Sequence, residues 1–296
     1  MALRIVVLLI GATSIAISGE IPDSKFSSSP VKNADATAFA ELESRTKSRI
    51  GLAAIDVSTH RRVEYRAHER FLMCSTFKVP AVAAVLKRVD DKKEQLDRFV
   101  RYSQDQLLAY APVTRAHVDE GGMTLGALCA AAIEQSDNTA GNLLLNAIGG
   151  PKGLTDLLRG LGDQFTRLDR PEPDLNVPVP GDDLDTTTPA AICADLEKFF
   201  GSDFLSPTSR EWLENWMQDS QTGLKMIRAT VPADWKVGNK TGRSSQGATN
   251  DLAVARRPNG APIFLAVYVV DPGESAEARD KLVADLAKIV IERLTK

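Results

Sequence analysis

The chain has 296 residues, a net charge of −3 at pH 7 and 43% hydrophobic residues. That length builds one large globular domain or two smaller ones. Charges of both signs are interspersed without acidic or basic blocks, so a nucleic-acid partner is not expected.

The first residues, "MALRIVVLLIGATSIAISGE", place Arg4 before an apolar core and small residues after it. This is the layout of a secretory signal peptide over 1–19, with Ala16-x-Ser18 pointing to cleavage after Ser18 or Gly19. The apolar stretch is shorter than the about 20 residues a membrane span needs. A periplasmic or secreted product without membrane attachment is therefore expected. Residues 20–33 are Ser-rich and read as a flexible lead-in. The cysteines Cys74, Cys129 and Cys193 are odd in number and lie in apolar helical contexts, so buried free thiols are expected. No C-x-x-C occurs, and His60, His68 and His117 show no ligand spacing, so no metal or other cofactor is expected.

A helix is predicted from about Ala34 to Arg49, followed by strands "IGLAAIDV" and "RRVEYRA" around the turn "STHR". From Ser75 to about Ser220 only helical patterns and loops are legible, with helices over 75–90, 124–134, 137–148, 151–160, 188–200 and 207–219. Strands return after Pro232 as "WKVGNKTG", "TNDLAVARR" and "APIFLAVYVV". A last helix from about Ala276 to Leu294 carries Leu282, Leu286, Ile289 and Leu294 as its apolar stripe. The expected fold is α+β with two domains. An antiparallel sheet flanked by helices comes from 34–66 and 220–296, and an all-helical domain, 67–219, is inserted into it. Clefts between such domains are common active sites.

"CSTFKVPAVAAVL", 74–86, opens an apolar helical run with Ser75 and, one turn on, Lys78. Residues at i and i+3 are helix neighbours, and an amine beside a hydroxyl in a dry site activates a nucleophile. Taken alone, the pattern is more often an N-cap serine followed by a snorkelling lysine. In "EQSDNTAGNLLL", Asp137 is the natural N-cap of the next helix, which leaves Ser136 and Asn138 unexplained by capping. "NKTGRSSQG" then places Lys240, Thr241 and Gly242 at the end of an apolar strand, where glycine permits close backbone approach.

S-x-x-K, S-D-N and K-T-G in this order, on helix, loop and strand, resemble the motif set of the penicillin-recognising serine enzymes. "RLDRPEPDLNVPVPGDDLDTTTP", 167–189, with Glu172 and Asn176 four residues apart, is similar to the omega loop of class A β-lactamases. "YAPVT" at 110–114 belongs to the same likeness, which runs from about Ala34 to the end. It implies a β-lactamase/transpeptidase-like fold and hydrolysis of penicillins and cephalosporins through a serine acyl-enzyme, by a monomer whose partner is a small β-lactam.

The resemblance implies Ser75 as nucleophile, with its backbone N–H and that of Arg243 as the oxyanion hole. Lys78 would be base or electrostatic support, and Glu172 the other candidate base. Ser136 would protonate the β-lactam nitrogen. Lys240 and Thr241 would attract the substrate carboxylate, Asn138 the acyl side-chain amide, and Tyr110 would wall the cleft mouth. Asn176 would fix the hydrolytic water, Arg170 and Asp185 would close the loop neck, and Glu172–Pro173 would be cis. The family's usual carboxylate-binding arginine is missing: its known positions align with Thr249, Met226 and Asp280. Arg243, directly after K-T-G, is therefore expected to take that role. Cys74 and Cys129 resemble halves of disulfides whose partners are absent here. The rival expectations are a penicillin-binding transpeptidase and a sensor that acylates once.

Overall fold

The computed structural model describes residues 33–296 apart from Asn259 and Pro272. The expected signal peptide and nearly all of the lead-in lie outside the described residues. The helices are α1 (Asn33–Thr46), α2 (Lys78–Asp90), α3 (Pro112–Ala116), α4 (Leu125–Glu134), α5 (Asn138–Ala147), α6 (Gly150–Gly160), α7 (Pro189–Gly201), α8 (Pro207–Gln218) and α9 (Ala276–Thr295). The strands are β1 (Arg49–Asp56), β2 (Arg62–Tyr65), β3 (Phe71–Leu72), β4 (Phe99–Arg101), β5 (Gly122–Thr124), β6 (Thr186–Thr187), β7 (Lys236–Arg243), β8 (Ala248–Arg256) and β9 (Pro262–Val270).

Five strands form an antiparallel sheet in the order β2-β1-β9-β8-β7. Strands from both ends of the chain thus pair, since β1 lies beside β9 with Ala53 opposite Ala266. Burial follows the two-residue period of a strand. Leu52, Ala54, Leu265 and Val267 face Phe39 of α1 and Leu286 and Val290 of α9. Ala53, Ile55, Phe264 and Ala266 face the helical segment, in one core with Val82, Leu144, Leu196 and Met217. The helical segment and the sheet therefore share that core, and the described residues form one compact unit. The sheet part thus has one core of its own, with α1 and α9, and shares the other with the helical segment.

Four departures from expectation concern short or terminal elements. The first helix ends at Thr46, because Lys47 takes a left-handed backbone (φ 56°) and Arg49 already belongs to β1. The segment from Ser75 to Ser220 is not purely helical: β4 pairs β5, and β6 pairs β3. Strands of two or three residues carry too little alternation to be read as strands. The short α3, started by Pro112, was likewise not legible. Ser75 sits in a 3₁₀ turn, Cys74–Phe77, and the α-helix proper starts at Lys78. All three cysteines are free and buried. Among the described residues no helix is long and apolar enough to cross a membrane.

Candidate active site

The 3₁₀ turn presents Ser75 where three elements meet. β7 is brought against it by Gly242: a Cβ there would lie 2.7 Å from the Met73 carbonyl oxygen and 3.1 Å from Cys74 Cβ. On the other side Asn250 donates to the Leu72 and Met73 carbonyls at 2.8 and 3.0 Å, and the Thr76 and Tyr268 hydroxyls meet at 3.2 Å. The nucleophile candidate is thus pinned at backbone level from the sheet.

Lys78 is fully buried. Its Nζ donates to Ser75 Oγ (3.0 Å), Asn138 Oδ1 (2.7 Å) and the Ser136 carbonyl (2.9 Å), and lies 3.2 Å from Glu172 Oε1. The neighbouring helix must approach closely for this. A Cβ on Gly141 of α5 would stand 2.8 Å from Lys78 Cε, so only glycine leaves the lysine its place. Burial pushes the Lys78 amine below its ordinary range, partly opposed by Glu172. Ser75 Oγ in turn donates to Glu172 Oε1 at 3.0 Å. The serine hydroxyl is therefore held between a donor amine and an acceptor carboxylate.

Ser136, in left-handed backbone (φ 56°) just before α5, receives Lys240 Nζ at 2.9 Å and Lys78 Nζ at 3.4 Å on its Oγ. With two amines donating to that oxygen, the hydroxyl proton is left to be given elsewhere. Lys240 is buried, with no carboxylate within ion-pair distance among the described residues, and its amine is driven well below the ordinary lysine range by burial and then by Lys78. Thr241 bonds Thr222 at 2.9 Å.

Asp137 is the N-cap of α5, accepting from Ala140 N–H at 2.9 Å. It also takes the Val113 and Thr114 N–H groups at 3.0 and 2.9 Å and the Thr114 hydroxyl at 3.0 Å. This ties α3 to the S-D-N loop. Tyr110 lies at that junction, half exposed at 52%, with its carbonyl accepting from Asn138 N–H.

The loop carrying Glu172 is closed at its neck by Arg170 and Asp185 (2.6 Å), where Asp185 also accepts the Asp169 and Arg170 N–H groups at 2.8 and 2.9 Å. Glu172–Pro173 is cis. Asn176 donates to Glu172 Oε2 and, at 3.1 Å, to the Pro173 carbonyl, while its own Oδ1 is buried without a protein partner.

Of the expected residues, Ser75, Lys78, Ser136, Asn138, Glu172, Asn176 and Lys240 come together in one hydrogen-bonded group. Thr241 adjoins it through β7 and Tyr110 through the S-D-N loop. Arg243 does not join them: its guanidinium pairs with Asp280 of α9 at 2.5 Å. Sequence reasoning missed Asn142, whose amide spans the Glu172 backbone. It donates to the Glu172 carbonyl and accepts its N–H, both at 2.9 Å. Its place four residues after Asn138 on one helix face was the available signal.

The model of the β-lactamase enzyme family matches residues 35–294. A β-lactamase of Amycolatopsis lactamdurans is 47% identical over 256 residues, which cover 86% of this chain and 84% of that protein. The solved structure of a class A β-lactamase, the last common ancestor of Gram-negative bacteria, superposes with a TM-score of 0.86 at 52% identity, covering 88% of this chain and 99% of the other. A β-lactamase from Burkholderia vietnamiensis gives 0.87 at 43%, covering 90% and 99%. A serine, two lysines and a loop glutamate thus meet in one hydrogen-bonded group on a fold shared with these class A β-lactamases. The chain belongs to the class A β-lactamase family.

Proposed function

We propose that the chain hydrolyses the β-lactam amide of penicillins and cephalosporins through an acyl ester on Ser75, as an exported monomer that confers resistance. The observation that carries this reading is Ser75 Oγ held between Lys78 Nζ and Glu172 Oε1, each at 3.0 Å. In the first step Ser75 Oγ bonds to the ring carbonyl carbon and its proton passes to a base. An ammonium that already donates to the oxygen cannot take that proton, so the geometry favours Glu172. Lys78 then stabilises charge on the attacking oxygen. The carbonyl oxygen becomes an anion facing the Ser75 and Arg243 backbone N–H groups.

The carbon–nitrogen bond breaks as Ser136 gives its proton to the leaving nitrogen, and the proton held by Glu172 passes to the Ser136 oxygen through the Lys78 amine, which lies 3.2 Å from Glu172 Oε1 and 3.4 Å from Ser136 Oγ. Lys240 and Thr241 face the substrate carboxylate, Asn138 the acyl amide, and Tyr110 the rim. In the second step Glu172, again ionised, takes a proton from a water between it and Asn176 Oδ1 as the water oxygen bonds to the ester carbonyl; the carbon–Ser75 Oγ bond then breaks and Glu172 returns the proton to Ser75 Oγ. The orphan acceptor on Asn176 supports that placement. Arg243 is proposed as a further carboxylate contact that must leave Asp280 to make it.

Intact-mass measurement with benzylpenicillin tests the scheme. Glu172→Ala is expected to accumulate an adduct of one substrate mass, and Ser75→Ala none. Wild-type turnover by Glu172→Ala refutes the loop reading. A single stoichiometric burst from the wild type with nitrocefin favours a transpeptidase or sensor.

A further inference from the structure

The contact proposed between Thr241 and the substrate carboxylate meets an obstacle in the resting site. Thr241, buried on β7, donates its one hydroxyl proton to Thr222 Oγ1 at 2.9 Å. A carboxylate only accepts hydrogen bonds. With its proton spent on Thr222, the Thr241 hydroxyl offers the cleft lone pairs alone. Binding therefore requires that hydroxyl to turn, and the side chains behind it set what the turn costs.

Thr222 lies in the connection between α8 and β7. Its hydroxyl meets that of buried Ser220 at 3.2 Å, a contact in which either oxygen can be the donor. Ser220 Oγ also has the Thr222 carbonyl as an acceptor, at 3.4 Å. The local fold holds Thr222 in this place. Gly223 has a left-handed backbone (φ 72°), and a Cβ on it would stand 2.5 Å from Thr241 Cγ2 and 2.7 Å from Asn239 Nδ2. Only glycine lets the connection come this close to β7. Asn239 Nδ2 donates to the Thr222 carbonyl at 3.1 Å and to Asp251 Oδ1 at 3.0 Å, and Asn239 Oδ1 receives Arg228 Nη2 at 3.0 Å.

We propose that Ser220, Thr222 and Thr241 form a reversible hydroxyl relay, in which Thr222 is a positioning residue that turns the Thr241 proton toward the substrate carboxylate. At rest the hydrogen bonds run from Thr241 to Thr222, from Thr222 to Ser220, and from Ser220 to the Thr222 carbonyl. With substrate bound they run from Ser220 to Thr222, from Thr222 to Thr241, and from Thr241 to the carboxylate. Each hydroxyl rotates about its own C–O bond, so no covalent bond breaks and no proton changes its oxygen. The turn exchanges the long Ser220–carbonyl bond for one to a charged acceptor, which is roughly twice as strong as a neutral one. The Thr222 carbonyl keeps the Asn239 amide throughout. Hydrogen bonds in a chain polarise one another, so the bond that Thr241 receives from Thr222 strengthens the one it gives. The relay rests on the reading that Thr241 meets the carboxylate, and its test separates the two.

Steady-state hydrolysis of benzylpenicillin and of its methyl ester by the purified enzyme provides that test. Thr222→Val keeps the side-chain shape and removes the hydroxyl. It is expected to raise KM for benzylpenicillin by roughly three- to tenfold, the range of one net hydrogen bond, with a far smaller change in kcat. Thr222→Ser is expected to restore KM, and the methyl ester, which carries no carboxylate charge, to respond little to either variant. Thr241→Val is expected to raise KM at least as much, and adding Thr222→Val to it to change nothing further, because Thr222 acts only through the Thr241 hydroxyl. An unchanged or lowered KM in Thr222→Val, beside a raised KM in Thr241→Val, overturns the relay and leaves the Thr241 contact standing. An unchanged KM in Thr241→Val overturns both. Additive losses in the double variant, or an equal rise for the methyl ester, give Thr222 a merely structural role and overturn the relay. Thr222→Ala supplies the same comparisons should the valine variant not fold.

Discussion

Asn142→Ala offers the sharpest test of how the loop glutamate is held. The substitution removes both hydrogen bonds, each 2.9 Å, between the Asn142 amide and the Glu172 backbone. Each is worth about 1 kcal/mol net, and a buried N–H or C=O left without a partner costs about 1–3 kcal/mol. Glu172 is only 2% exposed, so water replaces little of the loss, and about 2–4 kcal/mol of stability is expected to go. For a domain of this size that lowers Tm by roughly 5–12 °C. The remaining ties on the carboxylate, from Asn176, Ser75 and Lys78, keep it near the site but do not fix its backbone. Displacement by about 1 Å can cost up to about 100-fold in rate, so a fall in deacylation of about tenfold or more is expected. Acylation by a good substrate should fall less. Intact-mass kinetics with benzylpenicillin and a thermal melt read the two effects separately. Asn142→Asp sharpens the argument, because an oxygen replaces the donor facing the Glu172 carbonyl, so it is expected to rescue neither. Wild-type Tm and turnover in the alanine variant, or full rescue by aspartate, would refute the clamp.

Lys240 loses its proton at a pH well below the ordinary lysine range, so the alkaline limb of kcat/KM should fall there. Lys240→Arg keeps its charge at all accessible pH and is expected to move that limb upward; an unmoved limb assigns it to another group, with Lys78 the next candidate. Arg243 is held by Asp280, so Asp280→Asn is expected to free it and lower KM for benzylpenicillin. Arg243→Ser should raise KM several-fold, in line with about 1–2 kcal/mol for a partly exposed charged hydrogen bond. A double variant that behaves unlike Arg243→Ser alone would show that Asp280 acts by another route.

The three short motifs and the 167–189 loop were legible in the sequence as a resemblance to the penicillin-recognising serine enzymes, because each motif is a short local pattern of residue type and spacing. Ser75 and Lys78 meet across one helical turn, Asp137 caps α5 as its composition dictates, and Gly242 is glycine because a backbone passes within 2.7 Å of where its Cβ would be. The long apolar-patterned elements were legible for the same reason: period 2 or 3.6 is a local property of the chain. What the sequence withheld depends on partners far apart in it. Asn142 and Glu172 are thirty residues apart, and nothing local marks an asparagine on α5 as the clamp of a later loop. Arg243 read as a free cation beside the cleft until the fold brought Asp280 of α9 to its guanidinium. Asp195 is fully buried in α7 although nothing local in "ICADLEKFF" marks an acid for burial. Periodicity tells which face of an element is apolar; which charges are buried together is decided when distant elements close on one another and water is excluded between them.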